Sequence, residues 1–144
     1  MSNKQYQAGF LIILVAVAYA TLAFVIFPSI AQPAPDRVVH NFFTWYIEYA
    51  QQSNPLVDKA YRSSNALSPE FVARLDEFTS GQMMFDPILC AQDVPERITT
   101  AAPVISGSSA TVKVETSFAS HSFDVRLARE GSSWKIADVV CSGG

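Results

Sequence analysis

The chain has 144 residues, 49% of them apolar and 16% charged, with ten Lys and Arg against thirteen Asp and Glu for a formal net charge of −3. That is room for one compact domain and an appendage, with enough apolar matter to bury a core, and it excludes a disordered chain. A sequence pI near 5.2 without a basic run supplies no counterion-releasing patch, so nucleic acid is excluded as a partner.

The first predicted element is at the front, where the apolar surplus lies. Between Lys4 and Asp36 no residue is charged, and Ala8 to Phe27 reads AGFLIILVAVAYATLAFVIF. At about 1.5 Å rise per residue, a helix of this length reaches roughly 30 Å, the thickness of bilayer hydrocarbon. Pro28 ends it. The expected division is a cytoplasmic N-terminus at 1–7, a transmembrane helix at 8–28, a Pro-rich linker at 29–35 and an extracytoplasmic domain at 36–144. A cleaved signal competes, because Ser29-Ile30-Ala31 places small residues where a peptidase cuts. The apolar run exceeds the roughly 7 to 15 residues of a signal core, which favours an uncleaved single-pass anchor. Lys4 on the near side orients the N-terminus to the cytoplasm, with the C-terminal domain on the far, periplasmic or extracellular side of the membrane. Gly9, Ala16, Ala20 and Ala23 share one stripe of this helix and would let a second helix approach. The abundance of alanine in membrane spans also produces such stripes.

Asp36 reads as an N-cap for a helix from Arg37 to Gln52. His40, Asn41, Thr44, Glu48 and Gln51 occupy a narrow polar arc, and the rest is apolar, so this helix should be wrapped on more than one side. Asn54-Pro55 begins a short second helix to Arg62, and Ser68-Pro69-Glu70 begins a third that runs to Ser80 before Gly81. Met83 to Pro95 has no clean period and reads as an ordered, partly buried loop. The period then becomes two, with strands at Ile98 to Ile105, Thr111 to Phe118, around Phe123 to Leu127, and from Trp134 to Val139. The fold class expected is α+β, with about three helices on a curved antiparallel sheet of about four strands.

Cys90 and Cys141 are the two cysteines, and neither lies in a CxxC pair. In an exported domain they would form a disulfide closing a loop of about fifty residues, for about 4 kcal/mol of stabilisation in the chain-entropy model. Two buried thiols are the alternative.

The order of helices, then Asp86-Pro87 with Gln92-Asp93, then a closing strand with Gly131, Trp134, Lys135, Ile136 and Asp138, resembles the NTF2-like (cystatin-like) domains of small bacterial envelope proteins. The resemblance spans residues 36 to 142 and implies shape rather than activity.

Chemistry is sparse. His40 and His121 are the only imidazoles and belong to no metal-ligand pattern, so neither a metal nor a cofactor is expected. Asp86, Asp93 and Asp138 are candidate bases, although Asp before Pro is an ordinary turn residue and Asp138 can pair with Lys135 or Arg97. Ser106, Ser108 and Ser109 lie in a Gly-containing turn without a neighbouring base. Phe42, Trp45, Tyr46 and Tyr49 would line a pocket, or meet a partner. The function expected is a non-catalytic accessory subunit that stabilises a multi-subunit membrane complex, such as a respiratory or photosynthetic electron-transport assembly. Its partners would be the lipid bilayer and the other subunits. The alternatives are a membrane-tethered binder of a small apolar or peptide ligand in the cone, and a hydrolase or isomerase using Asp86 or Asp93.

Overall fold

A computed structural model describes residues 32–81 and 83–142. Helix α1 (Pro35–Ala50) begins two residues before its expected start. Pro35, with its φ already set, takes the first helical position, and Asp36 sits in the first turn, where its charge favours the helix dipole, rather than at the cap. The amides of Arg37 and Val38 bond to the carbonyl of Ala34. Helix α2 (Pro69–Thr79) has the expected cap, with Ser68 Oγ accepting from the Phe71 amide at 3.2 Å.

The expected middle helix does not form. Asn54 Oδ1 accepts from the amides of Leu56 and Val57, both at 3.1 Å, which starts a turn. Lys59 then takes φ +53°, and the chain closes with a 3-10 turn, Ala60–Ser63. A left-handed residue cannot continue a right-handed helix.

Five strands follow: β1 (Ile98–Thr100), β2 (Val104–Ser106), β3 (Ser109–Thr116), β4 (Ser122–Glu130) and β5 (Ser133–Cys141). They make one antiparallel sheet in the order β1-β3-β4-β5, with β2 also paired to β3. The single strand expected from Ile98 to Ile105 is thus two short ones on either side of Ala101-Ala102-Pro103. Pro103 has no amide to give the ladder. The membrane-helix, NTF2-like α+β plan is corrected accordingly. The described domain is mostly sheet, with two α-helices and five strands. The span expected at 8–28, with Gly9, Ala16, Ala20 and Ala23, lies outside the described residues. Among the described residues no helix is long and apolar enough to cross a membrane.

Alternation places Ala110, Val112 and Val114 of β3 and Phe123, Val125 and Leu127 of β4 on the inner face. On β5 the alternation slips. Leu127 pairs with Ile136 while Arg126 pairs with Asp138, so Ala137 is an extra residue. Val139, opposite Val125, therefore follows Trp134 and Ile136 against the core, and Asp138 turns outward to Arg74 at 3.2 Å and Arg126 at 3.9 Å. The edge of β5 is covered by residues 66–68, with Ile136 bonded through its amide to Ala66 and through its carbonyl to Ser68. Helix α1 packs on β1, β3 and β5, and Val39, Phe43 and Tyr46 are fully buried with Ile88 and Leu89 of the following loop. This second cover explains the helix's broad apolar stripe.

Candidate functional site

The loop from Met83 to Val94 has no periodic element, and its shape comes from specific anchors. Asp86 precedes Pro87, and its Oδ1 accepts from the amides of Ile88 at 2.8 Å and Leu89 at 3.1 Å. Its Oδ2 accepts from the Tyr46 hydroxyl at 2.8 Å. The Asp86 amide bonds to the Ala91 carbonyl at 2.8 Å, which folds the segment back on itself. Burial raises the Asp86 carboxyl above its usual range, against the opposing hydrogen bonds from Tyr46, Leu89 and Ile88. Burial first, and then the Asp86 charge, push the Tyr46 phenol upward, so it stays a donor at any physiological pH.

The other end of the loop is tied to the sheet. Cys90 and Cys141 are joined by a disulfide across a sequence separation of 51. Cys90 takes φ +53°, and its carbonyl meets His121 Nε2 at 3.0 Å. A carbonyl only accepts, so Nε2 carries the hydrogen, and Nδ1 lies 3.0 Å from Thr116 Oγ1.

Between this loop and the end of α1 runs an open groove of about 490 Å³, lined on one side by Ala50 and Ser53 to Leu56 and on the other by Met83 to Asp86, Leu89 and Gln92 to Val94. Its rim is apolar. Met84 is 77% exposed, Phe85 42% and Val94 40%, with Val57 at 63% just beyond Leu56. Phe85 leans on Phe78 of α2, ring centroids 5.7 Å apart. The groove's charged residues are Asp86 and Asp93, with Asp58 beside it accepting from Tyr49 at 3.1 Å. Among the described residues no Lys or Arg lines it. Exposed apolar side chains interleaved with Ser53, Asn54, Gln92 and the carboxylates give the groove the mixed character of a protein-binding surface.

The residues singled out from sequence are scattered. Tyr46 is fully buried in the core, whereas Phe42, 3% exposed, and Trp45 line a second open depression of about 410 Å³ with Val38, Trp134 and Lys135. Trp45 and Tyr49 are half-buried, their rings 6.1 Å apart, beside a shallow depression with Glu48, Gln52 and Ser53. Where a ligand cone was envisaged, Phe43, Tyr46, Val112, Val125 and Ile136 fill the interior completely. Asp86 and His121 are committed to holding the loop, Asp138 pairs with two arginines, and His40, Asp93, Ser106, Ser108 and Ser109 are exposed. No group of His, Cys, Asp and Glu able to hold a metal occurs among the described residues. Sequence reasoning missed Met84, Phe85 and Val94, whose only signal was apolar residues in an aperiodic, Pro-bounded loop.

These features define a class of small, disulfide-linked, sheet-rich domain with a groove of mixed polarity walled by one anchored loop. No family model matches the chain, and no curated protein does. Among solved structures it resembles a chain of the type VI native effector–immunity complex Tae3–Tai3 from Ralstonia pickettii, at 23% identity and a TM-score of 0.64, over 78% of this chain and 98% of that one. The selenomethionine form of the same complex matches at 20% identity and a TM-score of 0.61, over 77% and 98%. Identities this low establish a shared fold. They also correct the expected setting: the like-folded chains come from an effector–immunity complex, not from a subunit of a respiratory, photosynthetic or other multi-subunit membrane assembly.

Proposed function

We propose that this domain is a protein-binding module of the immunity kind, which holds an effector protein in an inactive complex. The observation that carries the reading is the apolar rim of Met84, Phe85 and Val94 around a groove whose wall is fixed by buried anchors. Rigid walls cut the ordering cost of association, and exposed apolar groups gain from being covered. The fold shared with a chain of an effector–immunity complex supports the same reading. So does the commitment of Asp86 and His121 to structural bonds, which takes both out of acid–base work.

The groove's chemistry describes the partner's contact element as a basic side chain flanked by apolar ones, because Asp93 is an exposed carboxylate in its lining while Asp86 is spent on the loop's own bonds. The disulfide and the uncharged stretch between Lys4 and Asp36 support work outside the cytoplasm, in an oxidising compartment. Catalysis is not part of this reading.

The test is neutralisation. Each type VI effector of the same bacterium is expressed in an exported form, with and without this chain. One effector's toxicity should disappear, and that effector should co-elute with the chain through size-exclusion chromatography. If no effector is neutralised or bound, the reading is wrong.

A further inference from the structure

Resting on that binding reading, we infer that the groove is assembled by oxidation: the Cys90–Cys141 bond holds one of its walls, and the reduced chain lacks the site. The loop divides into two halves with different support. The front half is secured without the disulfide, through the Asp86 bonds to Tyr46, Ile88 and Leu89 and through the complete burial of Ile88 and Leu89. The rear half carries Gln92, Asp93 and Val94, all exposed, and these form part of the groove lining. It is attached at both ends: at Cys90, by the covalent link to the end of β5 and the carbonyl bond to His121, and beyond Val94 by the Glu96 amide on Ser117 Oγ at 2.9 Å and the Ser117 amide on the Arg97 carbonyl at 3.0 Å.

Cys90 is held in the left-handed region at φ +53°, a conformation that a side chain with a Cβ resists. With the sulfur bond in place the residue has nowhere else to go. Without it, Cys90 relaxes toward negative φ, its carbonyl swings off His121 Nε2, and the wall bearing Asp93 and Val94, left with its bond at Ala91 and those at Glu96 and Arg97, shifts out of the groove-forming position. Closure is a two-electron step. The two thiols lose two protons and two electrons to a disulfide-bearing oxidant, which leaves as a dithiol while the Sγ–Sγ bond forms. The consequence is that the chain does not engage its partner in a reducing compartment, and binding begins where thiols are oxidised.

The experiment is hydrogen exchange followed by mass spectrometry on the full chain, oxidised, reduced with dithiothreitol, and as the Cys90→Ala/Cys141→Ala variant. Peptides covering Cys90 to Val94 should exchange at least about tenfold faster in the reduced and variant forms, while peptides from β3 and β4 stay protected. Unchanged protection of the loop would overturn the inference, since the wall then stands without the bond. Simultaneous loss of protection in loop and sheet would also overturn it, because the bond would then hold the whole fold rather than the groove. The measurement needs no partner. A loop that loosens in a chain that neutralises no effector would keep this inference and end the binding reading.

Discussion

The contact between Tyr46 and Asp86 joins the core to the groove. Tyr46 is fully buried in α1, its hydroxyl reaches Asp86 Oδ2 at 2.8 Å, and the other carboxylate oxygen organises the turn that starts the loop. Tyr46→Phe keeps the ring and strips the partner from a half-buried carboxylate. We expect a loss of about 1–2 kcal/mol, read from urea denaturation. The acids also give pH signatures of opposite sign. Asp86 has its carboxyl raised by burial, so its contribution is fully present below the unfolded value near about 4 and is lost as pH climbs through the raised value. Asp76 is held low by hydrogen bonds from Arg62 and then Tyr61, so its contribution is present above about 4 and fades as pH falls through the lowered value. Melting temperatures between about pH 3 and 7 should separate them. Asp86→Asn gains on the native chain as pH rises, because Asn retains an acceptor for the two turn amides and avoids the buried charge. Asp76→Asn loses ground over the same range. Slopes of the same sign for both variants would show that burial does not govern Asp86.

At the level of elements, what was legible in the sequence was local. The cap-proline-acid run at Ser68-Pro69-Glu70 specifies α2 within four residues, and the alternation in β3 and β4 is written in their own side chains. What depended on distant partners was not legible. Lys59 and Cys90 adopt positive φ in response to their surroundings, and neither residue type announces it. The extra residue in β5 is a property of two paired strands: strict alternation from Trp134 and Ile136 would carry Asp138 inward, where the fold puts Val139. The bulge therefore makes a deletion test. Removing one strand residue normally turns every later side chain to the opposite face. Deleting Ala137 should instead erase the bulge, leave Val139 facing inward and keep Cys141 in reach of Cys90. Deleting Val140, beyond the bulge, should turn Cys141 away. Thiol titration under denaturing conditions should find no free thiol in the first variant and two in the second.

For the whole molecule, the issue is which face meets a partner. Among the described residues, exposed large apolar side chains gather at the groove rim and at the β2–β3 hairpin, where Val104 is 73% and Ile105 55% exposed, with Phe118 standing alone at 36%. The hairpin strand has three residues, all exposed, and follows Pro103, features that blunt an edge against pairing. The groove combines apolar rim, carboxylates and a covalently fixed wall. Substitutions should therefore sort by face. Against the effector that the chain neutralises, Met84→Asp and Val94→Asp should each weaken binding at least about tenfold, because a charge is desolvated inside the covered patch. Val104→Asp on the hairpin should leave affinity within about twofold, as rim and remote positions do. Asp93→Lys should act differently, slowing association and flattening its dependence on salt, because a charge that steers a basic partner acts during approach. Melting temperatures should hold for all four variants, since each side chain is exposed and makes no part of the core. If Val104→Asp abolishes binding while Met84→Asp does not, the docking face is the hairpin, and the anchored loop serves only the fold.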